Sequence, residues 1–80
     1  MKTFQTLAQV VEYIKEGEDV KNYRWNNAAG DWDIDDILCN AAMYDENYSS
    51  YTVDIITYDI YDENYMDGEI LFSRIEDKID

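Results

Sequence analysis

Between Arg24 and Arg74 the chain runs for 49 residues without a lysine, arginine or histidine, and that interval carries twelve acids. They are Asp31, Asp33, Asp35, Asp36, Asp45, Glu46, Asp54, Asp59, Asp62, Glu63, Asp67 and Glu69. Burying an unpaired carboxylate costs several kcal/mol, so a fold made from this sequence must keep these groups in water or find them distant partners. Over the whole chain 19 acids face six bases, a net charge of −13. A charge of magnitude about 2–8 is enough to keep a small domain soluble. The excess is a self-repulsion that the compact state must carry.

Eighty residues make one small domain with a single core. The 46% hydrophobic content excludes a disordered chain despite the charge. Eight of those residues are tyrosines, which suit a half-wet surface as well as a core. The one cysteine, Cys39, has no intramolecular disulfide partner and lies in an apolar stretch, where it reads as a small core residue. No apolar run reaches the ~20 residues that cross a bilayer. The N-terminus, Met-Lys-Thr-Phe-Gln-Thr, lacks the apolar segment of a signal peptide. The expectation is a cytoplasmic protein with no membrane partner.

Periodicity predicts a first helix with an apolar stripe of Phe4, Leu7, Ala8, Val11 and Ile14. Thr6 and Gln9 have the spacing of a capping box, with Thr3 as the rival N-cap, and Gly17 stands at the C′ position. Residues 18–30 read either as a short edge strand near Tyr23 or as a loop pinned by Tyr23 and Trp25. A second helix starts at Asp33, with Asp35 and Asp36 in its first turn, where carboxylates meet the positive end of the helix dipole. Its stripe is Ile34, Ile37, Leu38 and Ala41, and it fades over residues 43–45. Residues 51–61, rich in β-branched and aromatic side chains, read as one strand. Its alternation slips at Ile55-Ile56, as a β-bulge or burial on both faces would produce. Residues 69–75 form a second strand after a turn at Asp67-Gly68. The expected fold is α+β: two helices packed on a C-terminal antiparallel β-hairpin, with room for a third short strand.

The pentapeptide Tyr-Asp-Glu-Asn-Tyr occurs at 44–48 and again at 61–65. The copies are 17 residues apart and have different flanks, so they are not repeats of a structural unit. The first closes a helix and the second leaves a strand. Each sets paired acids between tyrosines, one surface chemistry supplied at two exits.

Residues 31–35 share letters with the start of an EF-hand loop, but Asp36 stands where glycine is needed and Ala42 where glutamate is needed. With no imidazole and one thiol, neither a zinc site nor a common nucleophile–base arrangement can be assembled. No catalytic residue, metal ligand or cofactor is assigned, and the chain is not expected to be an enzyme. Direct binding of DNA or RNA is disfavoured, because that affinity rests on lysines and arginines neutralising phosphates.

A surface that repels nucleic acid can instead occupy the groove of a protein that binds it. Carboxylates two apart on a strand or four apart on a helix are separated by about 6 Å, of the order of a phosphate step. In its size, its long base-free interval and its acids clustered with aromatics, the chain resembles the small acidic DNA-mimic inhibitors of phages and mobile elements. These are the anti-CRISPR and anti-restriction proteins, which share no common fold. The resemblance implies a basic nucleic-acid-binding partner in the host cytoplasm, such as a nuclease, a CRISPR effector or a restriction enzyme. The expected contact residues are the twelve acids together with Tyr44, Tyr48, Tyr61 and Tyr65. An immunity protein or antitoxin capping one basic nuclease toxin would have the same surface physics. A housekeeping acidic domain would bind no such enzyme tightly.

Overall fold

The computed structural model describes residues 1–17, 19–63 and 68–76. In chain order these form β1 (Lys2–Phe4), α1 (Leu7–Lys15), a 3₁₀ turn (Val20–Asn22), β2 (Tyr23–Asn27), β3 (Gly30–Trp32), α2 (Ile34–Cys39), α3 (Ala41–Asn47), β4 (Tyr51–Val53), β5 (Ile60–Asp62) and β6 (Ile70–Glu76). The fold is α+β. Its sheet is larger than a hairpin with one added strand: six strands lie in the order β1-β4-β5-β6-β2-β3, with neighbours antiparallel. The three helices pack against one another and against the sheet.

The capping box at Thr6 forms as its spacing predicts. Thr6 accepts from the Gln9 backbone N–H, and the Gln9 side chain accepts from the Thr6 backbone N–H. The buried stripe of α1 is Leu7, Val10, Val11 and Ile14. Ala8, expected on that stripe, is exposed, and Phe4 sits half-buried in β1 ahead of the helix. Gly17 is required by packing more than by its cap position. A Cβ there would lie 2.7 Å from Val20 Cγ2 and 2.9 Å from the Tyr58 hydroxyl.

β2 settles the ambiguous stretch after α1. It is an interior strand between β6 and β3, anchored by Trp25, which is fully buried. Among the described residues the Trp25 indole N–H finds no acceptor, a cost of about 1–3 kcal/mol that the buried ring offsets.

The expected second helix is two helices joined at Asn40, which caps both. Ile34, Ile37 and Ala41 are buried, but Leu38 is 41% exposed and Cys39 is exposed, so neither is a core residue. The long strand expected over residues 51–61 is also divided. β4 and β5 form a hairpin whose connection is closed by Tyr58 N–H donating to Asp54 O at 2.7 Å. Ile55 and Ile56, read as a bulge or as burial on both faces of a strand, lie in that connection and are 48% and 80% exposed. The register shift falls instead between β5 and β6, where Ile60 pairs with Phe72 but Tyr61 pairs with Ile70. The extra residue is Leu71, and the shift lets Leu71 and Phe72 both be buried although they are consecutive. Asp67 of the expected turn lies outside the described residues, as does the end of the chain after Glu76.

Candidate anionic interaction surface

Eleven of the twelve interval acids are described; eight are exposed, three are half-buried and none is buried. Asp67 lies outside the described residues, as does Tyr65 among the tyrosines. The fold therefore keeps its carboxylates at the surface, as the desolvation cost demands. It also gives many of them a local task.

Asp33 and Asp36 make a reciprocal capping box at the start of α2, each accepting from the other's backbone N–H at 2.8 and 3.2 Å. Asp54 accepts from the backbone N–H groups of Ile56 and Thr57, at 2.8 and 3.2 Å, and so shapes the β4–β5 turn. Asp59 accepts from Arg74 N–H at 3.1 Å and ties the end of that turn to β6. Asp62 accepts from Glu69 N–H. Asp45 reaches furthest. Its Oδ1 accepts from Leu7 N–H at 3.0 Å and from the Tyr51 hydroxyl at 2.7 Å, joining α3 to the first turn of α1 and to β4. Six carboxylates are thus held by backbone N–H groups.

The remaining described acids are less constrained. Asp31 projects from edge strand β3, Glu46 from α3, and Glu69 stands just before β6. Glu63 accepts from the Ser49 hydroxyl at 3.3 Å. Asp35 pairs with Lys15 at 3.5 Å, an exposed contact that contributes little. That pair has a consequence for the densest acidic run. Lys15 and Lys21 share a shallow depression with Asp33 and Asp35. Residues 31–36 are free of bases in sequence but not in space, because the end of α1 brings Lys15 and the 3₁₀ turn brings Lys21 beside them.

The two pentapeptides converge. Asp45 of the first copy bonds the Tyr51 hydroxyl, and Asp62 of the second lies opposite Tyr51 in the β4–β5 ladder. Glu63 N–H donates to Ser50 O at 2.7 Å, just past the end of the first copy. Asp62 N–H in turn donates to Glu69 O. The β4–β5 hairpin therefore links Asp45, through Tyr51, to Asp62 and its neighbours Glu63 and Glu69. Spacing along the chain carried no sign of this meeting, which depends on the β4–β5 hairpin.

The tyrosines divide. Tyr44 and Tyr48 are half-buried and belong to a chain of rings. Trp32 meets Tyr44 edge-on at 6.0 Å, Tyr44 lies 5.2 Å from Phe72, and Tyr44 stacks with Tyr48 at 6.2 Å. Asn27 donates to the Tyr44 hydroxyl at 2.6 Å. Burial, then the neighbouring Tyr48, raises the Tyr44 pKa above that of an ordinary tyrosine. Tyr51 is fully buried, and its hydroxyl is pushed up further, first by desolvation and then by donating to the Asp45 carboxylate. These rings hold α3 to the sheet and leave Tyr44 and Tyr48 partly open to solvent. Tyr61 is half-buried on β5.

Among the described residues no group of three or more Cys, Asp or Glu side chains is arranged to hold a metal ion, and no described helix is long and apolar enough to cross a membrane. Compared with known protein families, curated proteins and solved structures, the chain matches none.

Proposed function

We propose that this protein is a DNA mimic that inhibits a nucleic-acid-binding host defence protein, of the CRISPR or restriction kind, by occupying its basic groove. The observation that carries the reading is the state of the carboxylates. All eleven described acids of the interval reach solvent, and six are fixed in place by backbone N–H groups. A carboxylate has about four acceptor sites, so one spent on the backbone leaves the charge and most of its bonding capacity for a partner. Fixing it beforehand removes ordering cost from association, which is what a rigid polyanion offers a cationic groove.

The dimensions agree with such a role. The domain is 38 Å long, equivalent to about 11 steps of duplex at ~3.4 Å each. One strand of that length carries about 11 phosphate charges, and the chain has a net −13. Inhibition by occupancy needs no catalysis by the mimic, and steered encounter makes association fast and salt-sensitive.

The test is capture from a host lysate on immobilised protein at low salt, elution by a salt gradient, and competition of the eluted enzyme with duplex DNA. The reading requires that a nucleic-acid-binding enzyme be retained, and that the protein and the duplex exclude each other from it. Simultaneous binding of protein and duplex to one enzyme would overturn it.

A further inference from the structure

Residues 34–47, which contain α2 and α3, hold four acids and no base. Ile34, Ile37 and Ala41 turn inward. On the other side Leu38 is 41% exposed and Met43 is 51% exposed, with Cys39 and Ala42 also exposed. Both helices keep their bonding up to the joint at Asn40. Asn40 N–H donates to Asp36 O at 3.3 Å, and Tyr44 N–H donates to Asn40 O at 3.4 Å. Leu38 and Ala42, like Cys39 and Met43, are four apart in sequence, one of each pair on α2 and the other on α3. Asp35 and Asp36 stand at the start of this outward face, and Glu46 stands near its end.

A single exposed leucine needs no explanation. Here the apolar side chains sit among acids of their own segment, with Lys15 and Lys21 bordering only the Asp35 end, and that restricts what can cover them. A second copy would set Asp35, Asp36 and Glu46 against their own kind in a pair of chains that each carry a net −13, with Lys15 the one base paired to any of them among the described residues. An anionic lipid surface or a nucleic acid would be repelled in the same way. A purely electrostatic mimic of phosphates, for its part, has no use for a leucine and a methionine at the centre of its contact.

We infer that the α2–α3 face docks a protein segment whose apolar centre is ringed by lysine and arginine, an amphipathic basic helix being the form that fits. The inference rests on the reading that the partner is a basic protein, and it adds where contact is made and with what chemistry. Leu38 and Met43 supply the part of the affinity that survives salt, while Asp35, Asp36 and Glu46 supply the part that does not.

The test uses two synthetic peptides of about 18 residues with identical leucine and lysine content. In one the leucines follow helical spacing and form a face; in the other the order is shuffled so that no face exists. Backbone amide spectra of the full chain are followed during titration with each. The helical peptide is expected to bind at least about tenfold more tightly at ~0.15 M salt and to shift the amides of Leu38, Ala42 and Met43. Leu38→Ser with Met43→Ser should abolish that advantage and leave the shuffled peptide's affinity unchanged. Ile56→Ser, at an equally apolar exposed site in the β4–β5 connection, should change neither. Equal affinity for the two peptides, or shifts centred on another surface, overturns the inference while leaving a basic partner intact. Binding of the helical peptide to this face by a protein that fails to exclude duplex from any captured enzyme keeps the docking site and removes the mimic. Failure of both peptides at low salt removes both.

Discussion

Replacing Asp45 with alanine should cost this domain a large part of its stability, although residue 45 is exposed. The carboxylate is shared by two donors that the fold has taken out of water. The Tyr51 ring is fully buried and its hydroxyl donates to Oδ1 at 2.7 Å; Leu7 is fully buried and its N–H donates at 3.0 Å. A buried donor left without an acceptor costs about 1–3 kcal/mol. Water can follow the truncated side chain to Leu7 more easily than to Tyr51, so the expected total is about 2–4 kcal/mol. A chain of this length has about 4–12 kcal/mol in all. Urea unfolding, with a slope of roughly 1 kcal/mol/M, should show a midpoint lower by about 2 M or more. Glu46→Ala is the control, since it removes the same charge one residue away and should leave the midpoint unchanged or slightly raised. The double variant with Tyr51→Phe should recover about 1 kcal/mol or more of the loss, because the orphaned hydroxyl is gone. If Asp45→Ala and Glu46→Ala unfold at the same urea concentration, the cross-link between α3, α1 and β4 is not what holds these elements.

The same hydroxyl sets the alkaline limit. The Tyr51 pKa is raised in the native state, so between about pH 10 and that higher value the unfolded chain loses the proton and the folded one keeps it. Stability should be unaffected by this group below about pH 10 and fall as pH rises above it. A stability that rises above pH 10 would contradict the burial of this hydroxyl. Gly17→Ala should destabilise by about 1–3 kcal/mol through overlap with Val20 and Tyr58, and Tyr58→Phe should recover part of that in thermal unfolding. Asp33→Ala should cost about 1 kcal/mol as a lost N-cap, whereas Asp35→Ala should stay within about 0.5 kcal/mol; equal losses would mean that the capping box contributes nothing.

What could be read from the sequence was local. The box at Thr6 and the N-cap at Asp33 are set by residues three apart, and both form; the structure adds the return bond from Asp33 N–H to the Asp36 side chain. The α+β class follows from two helical periods and a β-branched C-terminal half. The errors share one cause. Ile55-Ile56 looks like strand interior because of its side chains, but Asp54, with two backbone N–H groups to accept, turns the chain there first. Cys39 and Leu38 look like core because of their hydrophobicity, and they are exposed because α2 ends at Asn40, before a wider stripe can be buried. Strand β2 carried too little alternation to distinguish an interior strand from an edge one, and its place depends on pairing with β6, some fifty residues on. The site shows the same division: that the acids lie outside was legible, and which of them meet was not.

The distinction between held and unheld acids decides how the anionic surface should be probed. Net charge −13 makes every carboxylate a source of repulsion in the compact state. Asp31, Glu46 and Glu69 make no side-chain bond to the backbone among the described residues, so neutralising them relieves repulsion at no structural cost. Asp54, Asp59 and Asp62 exert the same repulsion but also accept from Ile56 and Thr57, from Arg74 and from Glu69. Their loss subtracts hydrogen bonds of about 1 kcal/mol each from the gain. The triple variant Asp31→Asn, Glu46→Gln, Glu69→Gln should therefore raise the urea midpoint and weaken binding to a cationic groove. The triple alanine variant at 54, 59 and 62 should lower the midpoint, so any loss of binding there mixes charge with unfolding. Added salt should narrow the first difference by screening and leave most of the second. Should the first triple variant prove less stable than the parent at low salt, crowding of the carboxylates would not be the strain that this surface imposes on the fold.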